Sequence, residues 1–294
     1  MRIVSAGECM LELSPAGGDL HSAAFAGDTF NTAWYLARLR PDWRVDYLSA
    51  VGEDGLSRRM LAFMEGAGIG TGGVRTVPGA TVGLYMIELR DGERSFTYWR
   101  SDSAARRLAE DAGHLARTLE GAALAYLSGI TLAILPPEGR RTLLAALAEA
   151  RRGGTRVAFD PNIRPRLWTD ADTMTGTIME AAAQADIVLP SFEDDAAAFG
   201  DGEAEATLAR YLAAGASEVV VKDGPNDVVA SIAGERFEAM PPQARAVDTT
   251  AAGDSFNAGY LAARLAGQAP GDCLAEAAAL AARVIGGRGA LVPV

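Results

Sequence analysis

The segment 247–259, VDTTAAGDSFNAG, has the residue types and spacing that could bind an anion. Three small residues, Ala251, Ala252 and Gly253, lead directly into a stretch whose apolar positions are spaced as in a helix. The first N–H groups of a helix have no intrahelical acceptor, and small side chains allow an oxyanion to approach them. Asp254 lies at the same end, where an aspartate is often simply a helix cap. The segment therefore predicts an anion site or an ordinary capped helix.

Strands that alternate with long helices predict the frame that would position this segment. Strand-like runs are expected at 122–128, 155–159, 186–190 and 218–222, and the helical stretches between them include 137–152 and 171–184. Because this alternation is typical of βαβ units, we expect an α/β fold with a mostly parallel sheet. Ligands of such sheets bind just past the carboxyl ends of the strands. The segments at those ends are Gly7-Glu8, Ser128-Gly129, Asp160–Arg164, Ser191–Asp194 and Lys222–Gly224.

A second group of apolar segments predicts a small β-sheet beside this frame. Segment 82–89 suits a strand, and Asp91-Gly92 is a strong hairpin signal before a partner strand at 94–100. We find neither an internal repeat nor a flexible linker in the sequence. We therefore expect a single domain over residues 1–294, carrying a small β lid whose strands lie within about 9–26 and 80–101.

The alternation of side chains along this hairpin indicates what the lid would cover. One face of the first strand would carry Tyr85, Ile87 and Leu89, and the matching face of the partner Phe96, Tyr98 and Arg100. A face that combines tyrosine with arginine is not a dry core face. We expect it to close over something polar.

Composition and charge limit the classes of protein to consider. Of the 294 residues 49% are hydrophobic and 22% are charged, which predicts a folded core. The net charge of -11 disfavours nucleic-acid binding, because an acidic chain repels phosphate backbones. We find no signal peptide, no apolar run of membrane-spanning length, and only two cysteines, Cys9 and Cys273, which suit neither a disulfide framework nor a zinc site. A cytoplasmic protein without membrane or nucleic-acid partners is expected.

The run DTTAAGD at 248–254 closely resembles the second signature of the ribokinase-like (PfkB) carbohydrate kinases, usually written D-T-x-G-A-G-D. Within that family the sequence is most similar to 2-keto-3-deoxygluconate (KDG) kinases. The likeness continues in order through GECMLELS at 7–14, GDTFNTAWYLAR at 27–38, ERSFTYWR at 93–100, LSGITLAIL at 127–135 and FDPNIRPRLW at 159–168. It implies a ribokinase-like fold, in which a central mostly parallel sheet is flanked by helices and carries a small β-sheet lid.

The resemblance assigns roles to the segment before the predicted helix. Asp254 would accept the proton of the attacking sugar hydroxyl, and the N–H groups of Ala251, Ala252 and Gly253 would stabilise the charge on the γ-phosphate of ATP. Ala251 stands where the family usually has glycine, so we expect its backbone to lie in an ordinary region, away from positive φ. The chain lacks the motif G-x-x-x-x-G-K-[ST] of P-loop kinases.

The sugar site is implied by two further stretches. Gly27 and Asn31, at the start of a helix expected at 29–39, would bind sugar hydroxyls, and Asp28 would either join them or cap the helix. The resemblance adds the lid residues Tyr85, Tyr98 and Arg100, although the two tyrosines could instead be packing across the strands. Arg164, after the strand 155–159, would lie between the sugar and the ATP phosphates.

The nucleotide side is less clearly marked in the sequence. The resemblance implies contacts from Asn162, Arg164, Ser191, Lys222, Gly224, Ala252 and Gly253. A lysine at a strand end can also simply be solvated. Mg²⁺ is expected as the counter-ion of ATP. Its protein ligands cannot be assigned, because Ser191-x-x-Asp194 replaces the family's N-x-x-E motif at both ends.

The function implied is transfer of phosphate from ATP to the 6-hydroxyl of KDG. Two guanidiniums, Arg100 and Arg164, favour an acid sugar, because beside a neutral sugar they would lack a charged partner unless another protein group supplied one. The alternatives are another kinase of the family, such as a fructokinase or a 5-keto-2-deoxygluconate kinase, and a sensor without catalytic activity. The sequence does not separate KDG from its C4 epimer. A homo-oligomer, dimeric or larger, is expected, of a size the sequence does not fix.

Overall fold

The computed structural model describes residues 1–90 and 93–294, and within these residues the chain forms two β-sheets with helices packed against them. Asp91 and Gly92, where the turn of the hairpin is predicted, lie outside the described residues. In chain order the elements are β1 (Arg2–Ala6), β2 (Met10–Gly17), β3 (Leu20–Ala26), α1 (Asp28–Leu39), β4 (Arg44–Val51), α2 (Gly55–Gly66), β5 (Ile69–Thr76), β6 (Leu84–Arg90), β7 (Glu93–Trp99), α3 (Ala112–Leu119), β8 (Leu124–Ser128), α4 (Gly129–Ile134), α5 (Pro137–Arg152), β9 (Arg156–Asp160), α6 (Ala171–Ala182), β10 (Ile187–Val188), α7 (Phe192–Phe199), α8 (Ala204–Ala213), β11 (Glu218–Val221), β12 (Val228–Ile232), β13 (Glu235–Ala239), α9 (Ala252–Leu265) and α10 (Pro270–Ile285).

The large sheet has the strand order β13-β12-β11-β10-β9-β8-β1-β4-β5. Neighbouring strands from β11 to β5 in this order pair in parallel, whereas β12 pairs antiparallel with both β11 and β13. The predicted mostly parallel α/β sheet is therefore confirmed. β4, α2 and β5 lie in residues 40–80, for which the pattern predicts no element. The glycine-rich β5 has weak strand propensity and is held at the edge by its pairing with β4.

The small sheet has the order β3-β2-β6-β7, and its four strands fall within residues 9–26 and 80–101. Tyr85 pairs with Tyr98 and Ile87 with Phe96, so these four side chains share one face, as the alternation predicts. The side chain of Leu89, assigned to the same face, is outside the described part of the chain.

Helices cover both faces of the large sheet and bury two apolar clusters. One cluster contains side chains of α1, α2, α9 and α10, and the other contains side chains of α3, α5, α6 and α8. α9 packs against both α10 and α1. This packing brings the start of α9 next to the start of α1, at the carboxyl ends of the central strands. None of the helices in residues 1–90 and 93–294 is both long and apolar enough to cross a bilayer.

Candidate active site

The loop before α9 is fixed by a buried aspartate. Asp248 accepts hydrogen bonds from the N–H of Thr250 at 3.0 Å and from the N–H of Gly289 at 2.7 Å. Ala251 is the N-cap of α9, and its carbonyl accepts from the N–H of Ser255 at 2.9 Å. The N–H of Ala252 donates to the carbonyl of Thr249 at 3.2 Å, so one amide of the expected anion site is already engaged in a turn.

The backbone of Ala251 contradicts the sequence-based expectation. Its φ of 61° and ψ of 18° place it in the left-handed region, where glycine is the usual residue. The expectation assumed that alanine would avoid this region. The loop held by Asp248 and the helix that follows together impose the turn, and the alanine methyl adds a strain of about 1–2 kcal/mol.

Ala251→Gly is expected to raise the free energy of unfolding by about 1 kcal/mol, because glycine adopts the left-handed conformation without this strain. Ala252→Gly, one residue further into the helix, is the matched control and should lower it by about 0.5 kcal/mol, through the flexibility that glycine adds to the unfolded chain. Urea denaturation of the three proteins measures both changes. Equal losses in the two variants would contradict the strain at position 251.

Asp254 projects from the first turn of α9 towards α1. Its Oδ2 accepts from Nδ2 of Asn31 at 2.8 Å, and its carbonyl accepts from the hydroxyl of Thr32 at 3.2 Å. The helix is capped by Ala251, so the carboxylate of Asp254 is used between helices and the capping alternative is wrong. Burial, together with the negative charges of Asp28 and Asp160, raises the pKa of Asp254 to about 8, although the hydrogen bond from Asn31 lowers it.

Asp28 lies on the facing helix, and it also is not a cap. Gly27 is the N-cap of α1, and Oδ2 of Asp28 accepts from Nδ2 of Asn162 at 2.8 Å. Burial is the main cause of its raised pKa, and Asp160 raises it further. A side chain at Gly27 would place its Cβ 2.1 Å from the carbonyl oxygen of Glu8, so only glycine fits between the two segments.

Asn162 meets the site from the end of β9. Besides donating to Asp28, its own N–H donates to Oδ1 of Asp160 at 2.9 Å. Its φ of 33° is positive, a conformation that asparagine tolerates better than most residues. Asn162, predicted to contact the nucleotide, therefore contacts Asp28, a residue predicted for the sugar.

Lys222 is buried beneath the start of α9, with 8% of its surface exposed. Its Nζ donates to Oδ2 of Asp160 and to Oδ1 of Asn257, both at 3.0 Å, and the amide of Asn257 donates to Oδ2 of Asp160 at 2.6 Å. The solvated alternative for Lys222 is therefore wrong, and its charge is neutralised by Asp160. A Cβ on Gly253 would lie 3.8 Å from this ammonium group.

Asp160, Asn257 and Glu8 are polar groups of this region to which the sequence assigns no role. Asp160 and Glu8 lie within the segments at the carboxyl ends of the strands, which was the available signal. Asn257 lies one turn after Asp254 on the same helix, a spacing that predicts a shared face.

The two arginines predicted for the site each have a carboxylate partner in the protein. Nη1 of Arg164 donates to Oδ2 of Asp194 at 2.8 Å, and Nη2 of Arg100 donates to Oε2 of Glu8. Protein carboxylates therefore supply the counter-charges, which is the exception that the sequence argument for an acid sugar left open. Asp194, half of the altered Ser191-x-x-Asp194 motif, is at the same time engaged by Arg164.

The other predicted residues occupy separate places. Tyr85 is 7% exposed and its hydroxyl donates to Oε2 of Glu12, whereas Tyr98 is 50% exposed with its ring centroid 5.8 Å from that of Tyr85. The two rings therefore contact each other across the strands, while half of the surface of Tyr98 remains exposed. Ser191 is the N-cap of α7 and forms a β-bridge with Lys222, and Gly224 follows in an exposed turn with a φ of 55°.

Within the described ranges, no three side chains of the types His, Cys, Asp and Glu are grouped to hold a metal ion. Mg²⁺ in phosphoryl-transfer sites usually needs only one or two protein carboxylates and takes its remaining ligands from phosphates and water. The described residues therefore form no all-protein cage for a metal ion, and a Mg²⁺ ion bound with a nucleotide would take most of its ligands from phosphates and water.

Known proteins resemble this chain over nearly its whole length. Residues 3–294 match the family model described as pfkB family carbohydrate kinase. The chain is 40% identical to the 2-dehydro-3-deoxygluconokinase of Escherichia coli (strain K12), with 99% of this chain and 97% of that protein covered. It is also 40% identical to the 2-dehydro-3-deoxygluconokinase of Dickeya dadantii (strain 3937), with 98% and 95% covered.

Solved structures share the fold. A PfkB protein from Polaromonas sp. JS666 has a TM-score of 0.86 at 26% identity, and the match covers 97% of this chain and 96% of that one. A putative ribokinase II from E. coli, solved in complex with ATP and Mg²⁺, has a TM-score of 0.87 at 22% identity, with 99% and 94% covered. Both sheets and the helices packed on them therefore follow an architecture seen in other proteins.

Proposed function

Because this chain belongs to the pfkB family of carbohydrate kinases, we propose that it transfers the γ-phosphate of ATP to the 6-hydroxyl of KDG. An ATP-dependent carbohydrate kinase binds a small-molecule sugar and ATP. The choice of KDG, which is 2-dehydro-3-deoxygluconate, is supported by 40% identity to relatives named for that substrate. The proposal includes Asp254 as the general base.

The observation that carries the proposed mechanism is the position of Asp254 in the first turn of α9. Asn31 of α1 orients its carboxylate through a hydrogen bond of 2.8 Å, while burial raises its pKa to about 8. A base with a pKa near the working pH takes a hydroxyl proton efficiently. The N–H groups at the start of α9 would stabilise charge on the transferred phosphoryl group, with Gly253 allowing close approach.

The sugar is proposed to lie between the starts of α1 and α9 and the small sheet. Gly27 and Asn31 would contact its hydroxyls, and Asp28 would accept from one of them. Tyr85 and Tyr98 would pack against the sugar, with Arg100 binding its carboxylate. This arrangement would place the sugar beside Asp254.

ATP is proposed to bind along the carboxyl ends of β9, β10 and β11. Ser191 and Gly224 lie at the ends of neighbouring strands, and Arg164 would turn from Asp194 towards the phosphates. Lys222, predicted as a nucleotide contact, is instead proposed to hold Asp160 and Asn257 in place, because its ammonium group donates to both. Mg²⁺ bound with ATP would neutralise phosphate charge and orient the γ-phosphate.

Asp28→Asn is expected to move the acidic limb of the pH profile of kcat/KM to lower pH. The activity of the free enzyme should rise as Asp254 loses its proton, and the negative charge of Asp28 is the largest cause of its raised pKa after burial. Removing that charge should therefore lower the pKa of Asp254. Profiles measured with KDG between about pH 5 and 9 test this shift. The control is Asp42→Asn, an exposed carboxylate bonded to Arg40. An unmoved limb in Asp28→Asn would refute the electrostatic coupling.

A substrate panel tests the proposed function as a whole. ADP release is measured with KDG, 2-keto-3-deoxygalactonate, 5-keto-2-deoxygluconate and fructose at equal concentrations. The proposal expects the highest kcat/KM with KDG. A neutral sugar is the second candidate, because Glu8 and Asp194 already neutralise the two arginines. A clear preference for fructose would refute KDG as the substrate and would leave the assignment as a carbohydrate kinase unchanged.

A further inference from the structure

A buried ion pair joins the two sheets beside the proposed sugar site. Glu8 follows β1 of the large sheet, and Arg100 follows β7 of the small sheet. Nη2 of Arg100 donates to Oε2 of Glu8, and the side chains are only 10% and 1% exposed, respectively. The carbonyl of Glu8 packs against Gly27 at the start of α1. The pair therefore adjoins the residues proposed to bind the sugar.

The contact between these two side chains is incomplete. Among the described residues, Nε of Arg100 and Oε1 of Glu8 are buried and have no hydrogen-bond partner. Arg264 shows the complete arrangement, since its Nε and Nη2 both bind the carboxylate of Glu218, at 3.1 and 2.7 Å. Arg100 uses only one of the two corresponding donors on Glu8. Its guanidinium therefore keeps hydrogen-bonding capacity for a second acceptor.

The surroundings of Glu8 disfavour its charged form, so the pKa of Glu8 is raised overall. Burial raises the pKa of Glu8 and the charge of Asp28 raises it further, while Arg100 and the nearby hydroxyl of Ser103 lower it. Gly83 leaves room for the pair, because a Cβ there would lie 2.8 Å from Oε1 of Glu8 and 3.3 Å from Cβ of Arg100. Without Glu8, the buried guanidinium of Arg100 would lose the carboxylate that balances its charge.

We propose that Glu8 is the resident counter-ion of Arg100, with which the carboxylate of a sugar acid must share the guanidinium. This inference rests on the proposed function. A neutral pair attracts an incoming carboxylate less than a free guanidinium would, because Glu8 repels the second negative charge. Glu8 thus stabilises the sugar-free protein and weakens its affinity for acid sugars. It is a residue that tunes specificity through Arg100.

Glu8→Gln tests this role because glutamine keeps the size of the side chain and an acceptor oxygen while losing the charge. Calorimetric titration without ATP should show the Kd for KDG falling by about tenfold, with the Kd for fructose unchanged. Glu12→Gln is the matched control, since Glu12, in β2 of the small sheet, is also a buried glutamate and is bonded to Tyr85. It should change the Kd for KDG much less.

The opposite sign would overturn the inference. If Glu8→Gln weakens KDG binding, Glu8 serves to hold Arg100 in place and does not compete with the substrate. A urea-denaturation cycle gives a readout without sugar: Glu8→Gln and Arg100→Leu should each destabilise the protein, and the double variant should lose less than the sum. Additive losses would refute the counter-ion role. Wild-type protein that binds fructose but not KDG would refute the proposed substrate, while the cycle would still report on the pair.

Discussion

Asp254→Asn is expected to reduce kcat for KDG phosphorylation by about 10²-fold or more, while the Kd values for ATP and KDG stay nearly unchanged. Asparagine keeps the size of the side chain and can still bond to Asn31, but it cannot take up the proton of the sugar hydroxyl. The loss therefore falls on the chemical step. Steady-state kinetics and calorimetric titration of each ligand measure the two parts of the prediction.

The control for this variant is Asp42→Asn, which removes an aspartate charge at an exposed position bonded to Arg40. Its kcat should match that of the wild-type protein. The pH profile adds a second check, because the acidic limb assigned to Asp254 should disappear in Asp254→Asn. Full activity of the purified variant would exclude Asp254 as the general base and would require another carboxylate of the site, such as Asp28, to take the proton.

Arg100→Leu is expected to lower kcat/KM for KDG by about 10²-fold, a loss of about 3 kcal/mol in binding the acid group. Any turnover of fructose should fall much less, because a neutral sugar has no carboxylate for Arg100. Coupled ADP release with the two substrates gives the comparison. A general folding defect would depress both activities equally, so the ratio of the two carries the result.

The structure adds a necessary control to this experiment. Arg100→Leu leaves the carboxylate of Glu8 buried without its partner, which is itself destabilising. The double variant Glu8→Gln/Arg100→Leu removes both charges and should keep the selective loss of KDG activity with less cost in stability. Equal losses for KDG and fructose in the double variant would contradict the acid-sugar role of Arg100 and leave the kinase activity standing.

The sequence by itself determined the frame of this protein and the family to which it belongs. Strand and helix periods extend over many residues, so β8, β9, β11 and the helices α1, α5 and α6 lie close to their predicted ranges. The signature at 248–254 is also local, and it predicts that the start of α9 is the centre of the site. Such features follow from neighbouring residues alone and are therefore readable from a single chain.

Local rules were insufficient where the surrounding structure imposes a conformation. Ala251 adopts a positive φ against its own preference, because the loop held by Asp248 and the start of α9 together require it. Likewise the weak strand propensity of the glycine-rich β5 is overridden by its pairing with β4. Propensity is a small energy, and tertiary contacts exceed it at these positions.

Only the tertiary structure decided how the charges of the site are paired. Arg100 pairs with Glu8, which lies 92 positions away in the chain, and Lys222 pairs with Asp160, which lies 62 positions away. Asn31 donates to Asp254 across a separation of 223 positions. A sequence shows which groups carry charge, but the partner of each group depends on which strand ends and helix ends the fold brings together. Because burial makes an unpaired charge costly, these distant partners determine which arginine or lysine keeps donors for a substrate.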